Sequence, residues 1–446
     1  MAQHISETLV QKWAPILDHP SLDPITDPYR RVVTATVLEN QEKASMEDNG
    51  LIFETTSGII PNTSQDLNGP SNGNIARYDP VLISLIRRSL PQLIAYDVCG
   101  VQAMTGPVGL IFAMKSGYAN TSNSFTSEAL FNEANSKYSG TGGTQAALNN
   151  PASSANTLAG LAAIDAGLGL TTFAGETNDA WPQMGFEIVK SIVGVRSRQL
   201  KADYSVELSQ DLKAVHNLDA ESELSNILSH EILNEINREI TRLIYSIAKP
   251  GGTNSTGSVN LSISGGDING RYFAEQWRGL QFLIEKDATY IAKETRRGKG
   301  NFIITNSEVA SALAMIGVLD YGIVSKDASL AVLPDETKST YVGTLGGRLK
   351  VYVDPFVDLG SNFYTVGYKG SSPYDAGLFY CPYIPLQFTK ATHPLTFQPT
   401  IGFRTRYGLK EHPFSGSTFV DDNTTRTNAN SHKNVFYRIS AVNHLN

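Results

Sequence analysis

The chain has 446 residues, enough for about three ordinary domains or for one domain with long extensions and insertions. Only 18% of the residues are charged, against a typical ~25%, and there are 38 glycines, so Ser, Thr, Asn and Gly must build much of the surface. Such a surface is unusual for a freely diffusing monomer, and a net charge of −7 without any run of Lys and Arg argues against general nucleic-acid binding.

The first 45 residues have an amphipathic pattern that predicts two helices, the second over 29–43. Prolines interrupt the first helix, beginning with Pro15. Residues 44–76 are rich in Gly, Asn, Ser and Thr, which favours an extended arm or linker, and a short helix is predicted at 80–88. The first 75 or so residues are therefore predicted to be tethered rather than globular.

Residues 98–114 are β-like, and the segment that follows is unusually poor in charge. Between residues 119 and 180 only six of 62 side chains are charged, and large apolar residues are scarce. This segment lacks both the charge that keeps a chain disordered and the apolar residues that make a core. We expect a long projecting loop that becomes ordered against something else.

The strongest helical pattern covers 219–248, where apolar residues recur every three or four positions. Asp219, Glu221 and Glu223 lie at its start, where the helix dipole favours acids, and Pro250 follows its end. At 1.5 Å per residue this helix is roughly 45 Å long, enough to cross a whole domain.

The rest of the chain predicts an α/β region followed by a β-rich tail. A helix over 272–295 precedes a strand at 302–304, and Thr305 with Glu308 fits a capping box that begins the next helix. Further strands are predicted at 349–353, 363–368, 377–388 and 397–407.

Catalytic motifs are incomplete. His230 and Glu231 begin a zinc-hydrolase pattern, but Asn234 stands where the second histidine is needed, so a hydrogen-bonded or partly exposed helix histidine is the better interpretation. The Gly-Lys-Gly sequence around Lys299 follows a helix and precedes a strand, the reverse of a phosphate-binding loop, and favours a helix end and turn. A zinc- or nucleotide-dependent enzyme is therefore a weak alternative, and we expect no cofactor and no metal.

Cysteine content and hydropathy bear on the compartment. Cys99 and Cys381 are too few for a disulfide framework, and although a single pair stays open, we expect both to pack in a core in a reducing compartment. The chain has no stretch near 18 consecutive apolar residues and no basic, then apolar, N-terminal segment. We expect neither secretion nor membrane spanning.

Eight sequence blocks carry a resemblance to a known family. They are KWAPIL at 12–17, ENQEK at 39–43, RRSLPQLIAYDVCGVQAM at 87–104, SRQLKADYSVELSQDLKAVH at 197–216, EINRE at 235–239, GNFII at 300–304, TVGYKG at 365–370 and FQPTIGFRTRYG at 397–408. With these blocks the chain resembles the major capsid proteins of T-even-type tailed phages (myophages). Two further blocks, at 106–114 and 128–134, look closest to the versions found in myophages of cyanobacteria.

The resemblance implies an α+β chain with the Hong Kong 97-type phage capsid fold. The expected parts are an N-terminal arm at 1–80, a first peripheral-domain segment at 81–118, an E-loop with a short insertion at 119–195, a peripheral segment at 196–254 with the spine helix at 219–248, an axial domain at 255–370, and closing peripheral strands at 371–446.

The resemblance also implies function and partners. The chain is expected to be no enzyme but to self-assemble into hexameric capsomers of an icosahedral virion shell around double-stranded DNA, which it would contact non-specifically. Whether it also forms pentamers stays open, and a pentamer-only vertex protein of the same family is the main alternative. Vertex, portal, scaffold and decoration proteins are expected partners, without a membrane, and assembly is expected in the host cytoplasm.

A maturation site is implied as well. Family members lose an N-terminal segment to a prohead protease that favours a small or aliphatic residue two positions before glutamate. Ile52, Phe53 and Glu54 fit this short pattern. We therefore expect cleavage between Glu54 and Thr55.

Overall fold

Helices and sheets both run through the described part of the chain. A computed structural model describes residues 2–19, 25, 27–55, 93–119, 125–130, 134–140, 169–178, 181–252, 257–262, 273–317, 319–321, 340–358, 360–392, 398–413 and 433–444. The helices are α1 (Ala2–Leu17), α2 (Pro28–Thr55), α3 (Ala95–Val98), α4 (Thr172–Glu176), α5 (Val206–His216), α6 (Ala220–Ile247), α7 (Phe273–Thr295) and α8 (Ser307–Met315). The strands are β1 (Gly100–Val101), β2 (Val108–Ala119), β3 (Phe125–Glu128), β4 (Gln183–Gly194), β5 (Arg196–Asp203), β6 (Ala248–Pro250), β7 (Ser258–Asn260), β8 (Phe302–Thr305), β9 (Leu319–Tyr321), β10 (Thr340–Leu345), β11 (Leu349–Val353), β12 (Phe363–Gly367), β13 (Leu378–Thr392), β14 (Pro399–Glu411) and β15 (Asn434–Asn443). The predicted α+β class is confirmed.

The chain divides into two compact units. Unit 1 comprises Met1–Ile111 and Ile192–Asn446, and unit 2 comprises Phe112–Ser191. Unit 1 contains a four-stranded sheet in the order β1-β13-β14-β5 and an eight-stranded sheet in the order β6-β15-β12-β8-β11-β10-β9, with β7 also paired to β15. A three-stranded sheet has the order β3-β2-β4.

The long helix predicted at 219–248 is confirmed as α6. The Asp219 side chain caps its first turn by accepting a hydrogen bond from the Glu221 N–H at 3.4 Å, which satisfies one of the donors that a helix start leaves open. Its buried apolar residues follow the helical period and lie in one core with both β13 and β14. These buried residues include Leu228, Ile232, Ile236, Ile240, Leu243, Ile244 and Ile247.

The prediction that the N-terminal segment is tethered is wrong for its two helices. Trp13, Leu17, Val33 and Leu38 are buried in the same core as the apolar face of α6. Pro15 lies inside α1 rather than ending it. The extended structure predicted from residue 44 is also wrong at its start, because α2 continues to Thr55.

A second core lies between α7 and the eight-stranded sheet. Leu280, Ile284 and Ile291 of α7 pack with Ile303 of β8 and Val351 of β11. The predicted helix at 272–295 and the strands predicted near 302, 349, 363, 377 and 397 are confirmed, with ends shifted by a few residues. Hydrophobic spacing was enough to find them, since each element has a buried apolar face.

The helix start predicted at Thr305 is off by one residue. Asn306 is the cap of α8, and its Oδ1 accepts a hydrogen bond from the Val309 N–H at 3.1 Å. Thr305 instead ends β8, and its hydroxyl donates to the Phe363 carbonyl at 3.0 Å. Thr305 pairs with β12, and this pairing keeps it in the strand instead of at the start of the helix.

Parts of other predictions lie outside the described residues. These are the helix predicted at 80–88, residues 56–76 of the linker predicted at 44–76, and residues 141–168 of the low-charge segment, where the short insertion was expected. Unit 2 overlaps most of the predicted E-loop at 119–195, and the role of that segment stays a prediction.

Candidate assembly surfaces

Unit 2 exposes large apolar side chains on both of its long strands. Phe112 and Met114 on β2, and Met184, Phe186 and Ile188 on β4, are each more than half exposed. A water-facing strand surface is normally polar, because alternation places apolar residues toward a core. Here alternation places them in solvent, which is typical of a surface that another protein covers.

A buried alanine and two tyrosines lie beside the exposed side chains. Ala113 of β2 is buried beside the exposed Phe112 and Met114, as the period of two requires. The Tyr118 and Tyr138 rings lie 4.5 Å apart, and the Tyr118 hydroxyl accepts a hydrogen bond from the Asn135 N–H at 3.1 Å. Among the described residues of unit 2, strand pairing and local contacts hold these strands, and none of the large buried apolar clusters lies there.

Unit 1 has a second exposed apolar surface on α5 and the start of α6. Ser205 caps α5 by accepting from the Leu208 N–H at 3.2 Å, and Asn217 ends it with a left-handed φ of 55°. No residue of this helix is buried, and Val215 is 74% exposed. Ile227 on the outer side of α6 is 61% exposed. A helix this exposed gains little stability from packing within its own subunit.

An ion-pair cluster holds α6 against the four-stranded sheet. Arg198 of β5 donates to Glu235 at 2.9 Å and to Glu239 at 2.6 Å, both on α6. Tyr407 of β14 donates to the same Glu239 carboxylate, and burial followed by that charge raises the pKa of its phenol. Two strands and one helix are therefore fixed by planar, charge-assisted hydrogen bonds.

The residues that began the incomplete catalytic motifs lie in ordinary helix and turn positions. His230 is half-buried on α6, Glu231 is exposed, and Lys299 pairs with Glu285 at 3.1 Å. In the part of the chain that the structure describes, no group of three or more His, Cys, Asp and Glu side chains could hold a metal ion. None of its described helices is long and apolar enough to cross a membrane.

The two cysteines have the role that the sequence predicted. Both Cys99 and Cys381 are buried and carry free thiols. Burial raises the pKa of each thiol to about 12, so both stay protonated and unreactive at neutral pH. Core packing of both residues is confirmed.

The predicted cleavage site lies at the end of α2. Glu54 and Thr55 are the last two residues of this helix. A protease that binds its substrate as an extended strand therefore requires the last turn of α2 to unwind.

Comparison with known proteins identifies the family. The family model described as Major capsid protein Gp23 matches residues 75–442. The chain is 32% identical to the major capsid protein of Vibrio phage KVP40, over 92% of this chain and 94% of that protein. It is 34% identical to the major capsid protein of Enterobacteria phage T4, over 92% of each. The chain belongs to the Gp23 family of major capsid proteins.

Family membership confirms the identification made from the sequence blocks. Homologues at this level of identity share a fold, so the Hong Kong 97-type capsid fold applies to this chain, and its relatives are structural proteins rather than enzymes. A capsid vertex protein of Escherichia phage AR1 matches less well, with 28% identity over 52% of this chain and 53% of that protein. Among solved structures, the capsid of Myoviridae phage XM1 covers 78% of this chain and 92% of that chain, with 11% identity and a TM-score of 0.39.

We expect the buried His412 to make the stability of the subunit sensitive to acid. It is buried, with its ring 5.9 Å from Phe379 and 5.2 Å from Phe436, measured between ring centres. Burial, with a smaller contribution from the charge of Arg297, lowers its pKa to about 4. Since the unfolded chain takes up this proton near pH 6.5, the free energy of unfolding should fall as pH drops from about 6.5 to about 4, and this contribution is fully present above that window.

Urea unfolding between pH 4 and pH 7 measures this effect. We expect His412→Gln to be less stable at neutral pH but to lose less of its stability on acidification than the original chain. The exposed His216 on α5 offers a matched control, and His216→Gln should keep the original acid response. An unchanged response in His412→Gln would show that other groups cause the acid sensitivity.

Proposed function

We propose that the chain forms hexameric capsomers that tile the icosahedral head shell of a tailed phage around double-stranded DNA. The observation that carries the proposal is the exposed apolar surface of β2 and β4 in unit 2, together with the exposed face of α5. In a ring of identical subunits each surface meets a different surface of the next copy, and closure of the ring leaves neither exposed. Many such contacts repeated over a shell provide stability that no single contact needs to supply.

The proposed parts follow the sequence expectation. Residues 119–195 would act as the E-loop that reaches a neighbouring subunit, 219–248 as the spine of the peripheral domain, and 255–370 as the axial domain around the ring centre. The low charge of the chain supports this arrangement, because a subunit whose surface is largely covered by copies of itself needs few charges for solubility.

Contact with DNA is proposed to be non-specific. The net charge of −7 supports weak contact, because strong counterion release would hold the packaged DNA rather than let it leave. Vertex, portal, scaffold and decoration proteins are the proposed partners, and the host cytoplasm is the proposed place of assembly.

The alternative is a vertex protein that forms pentamers only. The weaker and shorter match to a capsid vertex protein makes this the second candidate. Cryo-electron microscopy of phage heads that contain the chain distinguishes the two. We expect its density in hexamers, and density confined to the fivefold vertices would favour the alternative and contradict the main proposal.

We further propose that maturation cuts the chain between Glu54 and Thr55. N-terminal sequencing of the chain from mature particles should begin at Thr55, whereas Glu54→Ala should leave the uncut N-terminus in place. Glu47→Ala, on the same helix, is the control and should be cut normally. A mature N-terminus at any other residue would contradict this site.

A further inference from the structure

Polar contacts tie the N-terminal helices to distant parts of unit 1. Asn40 of α2 is buried, and its Nδ2 donates to the Met104 carbonyl at 2.7 Å and to the Tyr383 carbonyl at 3.0 Å. Arg30 donates to Asp97 at 2.8 Å. Two of these three acceptors are backbone carbonyls that lose their partner if α2 leaves, and an unpaired buried carbonyl is costly.

Apolar burial adds to these contacts. Leu17, Val37 and Leu38 are buried almost completely, and Trp13 is 5% exposed. They belong to the same core as residues of the four-stranded sheet, and α2 packs directly on β13. We call the described residues between 8 and 42 the N-terminal hairpin; they cover this part of the sheet as a piece of the folded core.

The two helices of the hairpin also hold each other. Lys12 of α1 pairs with Glu39 at 2.7 Å and with Glu42 at 2.5 Å on α2, and the Trp13 indole donates to Glu39 at 3.3 Å. Contact between the Lys12 ammonium and both carboxylates keeps α1 on α2. The hairpin can therefore be held by the sheet as one body rather than as two separate helices.

The proposed cut site lies on the same helix but away from these contacts. Glu54 lies thirteen positions after Gln41, which is buried. At 1.5 Å per residue the cut lies about 20 Å along the helix from the last buried residue of the hairpin. A protease can therefore unwind the last turn of α2 while the contacts of Asn40 and Arg30 stay in place.

We propose that the N-terminal hairpin stays bound to the subunit after the chain is cut at Glu54, so that cutting and release are separate steps. The cut breaks one peptide bond and leaves every contact of Asn40, Arg30 and the buried apolar residues in place. The face of the four-stranded sheet beneath the hairpin then stays covered until a later event displaces it. This inference rests on the proposed cleavage only for the moment at which the chain is cut; the contacts that hold the hairpin do not depend on it.

An engineered cut tests the inference without the phage protease. A recognition sequence for a site-specific protease is inserted between Glu54 and Thr55 in the full chain, the purified protein is cut, and size-exclusion fractions are analysed by denaturing mass spectrometry. We expect the small fragment to elute with residues 55–446. Its elution as a separate late peak immediately after cutting would overturn the proposal.

Variants identify the contacts responsible. Asn40→Leu combined with Trp13→Ala should release the cut fragment, whereas Gln11→Ala, at an exposed position of α1, should retain it. Retention in the first variant would overturn the role of these contacts. Sequencing of mature particles tests the natural cut site separately, so a wrong cut site and a hairpin that does not stay bound give different results.

Discussion

The double variant Phe112→Glu, Phe186→Glu should fold normally but assemble into shells only at a much higher concentration. Both side chains are more than half exposed in unit 2, so the substitutions remove no core contact within the subunit. In an assembled shell each would place a carboxylate in an apolar contact, and an unpaired buried charge costs several kcal/mol. Since every ~1.4 kcal/mol is a factor of ten in affinity, the concentration needed for assembly should rise by more than about tenfold.

Light scattering and electron microscopy measure the assembly, and circular dichroism with thermal unfolding checks the fold. The matched variant Phe112→Leu, Phe186→Leu keeps both surfaces apolar and should assemble at close to the original concentration. Lys190→Gln on β4 changes an exposed polar position and should also assemble. Normal shells from the glutamate variant would exclude this surface as a subunit contact.

The variant Asp287→Ala should lose about 3–5 kcal/mol of the free energy of unfolding. Asp287 of α7 is fully buried, and its carboxylate accepts hydrogen bonds from the Gly252 N–H at 3.0 Å, the Tyr364 hydroxyl at 2.8 Å and the Ser440 hydroxyl at 3.2 Å. Alanine leaves three buried donors without their acceptor. Burial, followed by the Asp287 charge, raises the pKa of Tyr364, which keeps its phenol protonated as a donor.

Urea unfolding of the purified chain measures this loss. Asp287→Asn keeps one acceptor oxygen and should lose less stability than Asp287→Ala. Adding Tyr364→Phe to Asp287→Ala should cost less than the sum of the single variants, because the two groups share one hydrogen bond. Asp211→Ala, at an exposed position on α5, should change stability by no more than about 0.5 kcal/mol. A similarly small effect of Asp287→Ala would contradict the role of this cluster.

Elements whose signal is local could be predicted from the sequence. The helix α6 combines a regular apolar face with an acidic first turn and a capping Asp219, so neighbouring residues alone define it. The same holds for α7 and for the strands of the eight-stranded sheet, whose apolar residues alternate or recur with a clear period. Where a residue had a distant partner the local pattern misled, as at Thr305, which pairs with β12 instead of capping α8.

The N-terminal helices show the same limit at a larger scale. Trp13 and Leu38 have a helical spacing that the sequence reveals, but the core that they join includes residues far along the chain in β13 and β14. Composition therefore indicated an arm, whereas the folded subunit includes both helices in its core. Asn40 gave no signal at all, since its two carbonyl partners are 64 and 343 residues away.

By itself the sequence determined the family, the α+β class and the long helix, because family-specific blocks and short-range periodicity are properties of consecutive residues. Only the tertiary structure decided which apolar residues are core and which face water. Phe112 and Phe186 have the alternation of a buried strand, yet unit 2 leaves them exposed. Exposure depends on what packs across a strand, and local alternation does not contain that information.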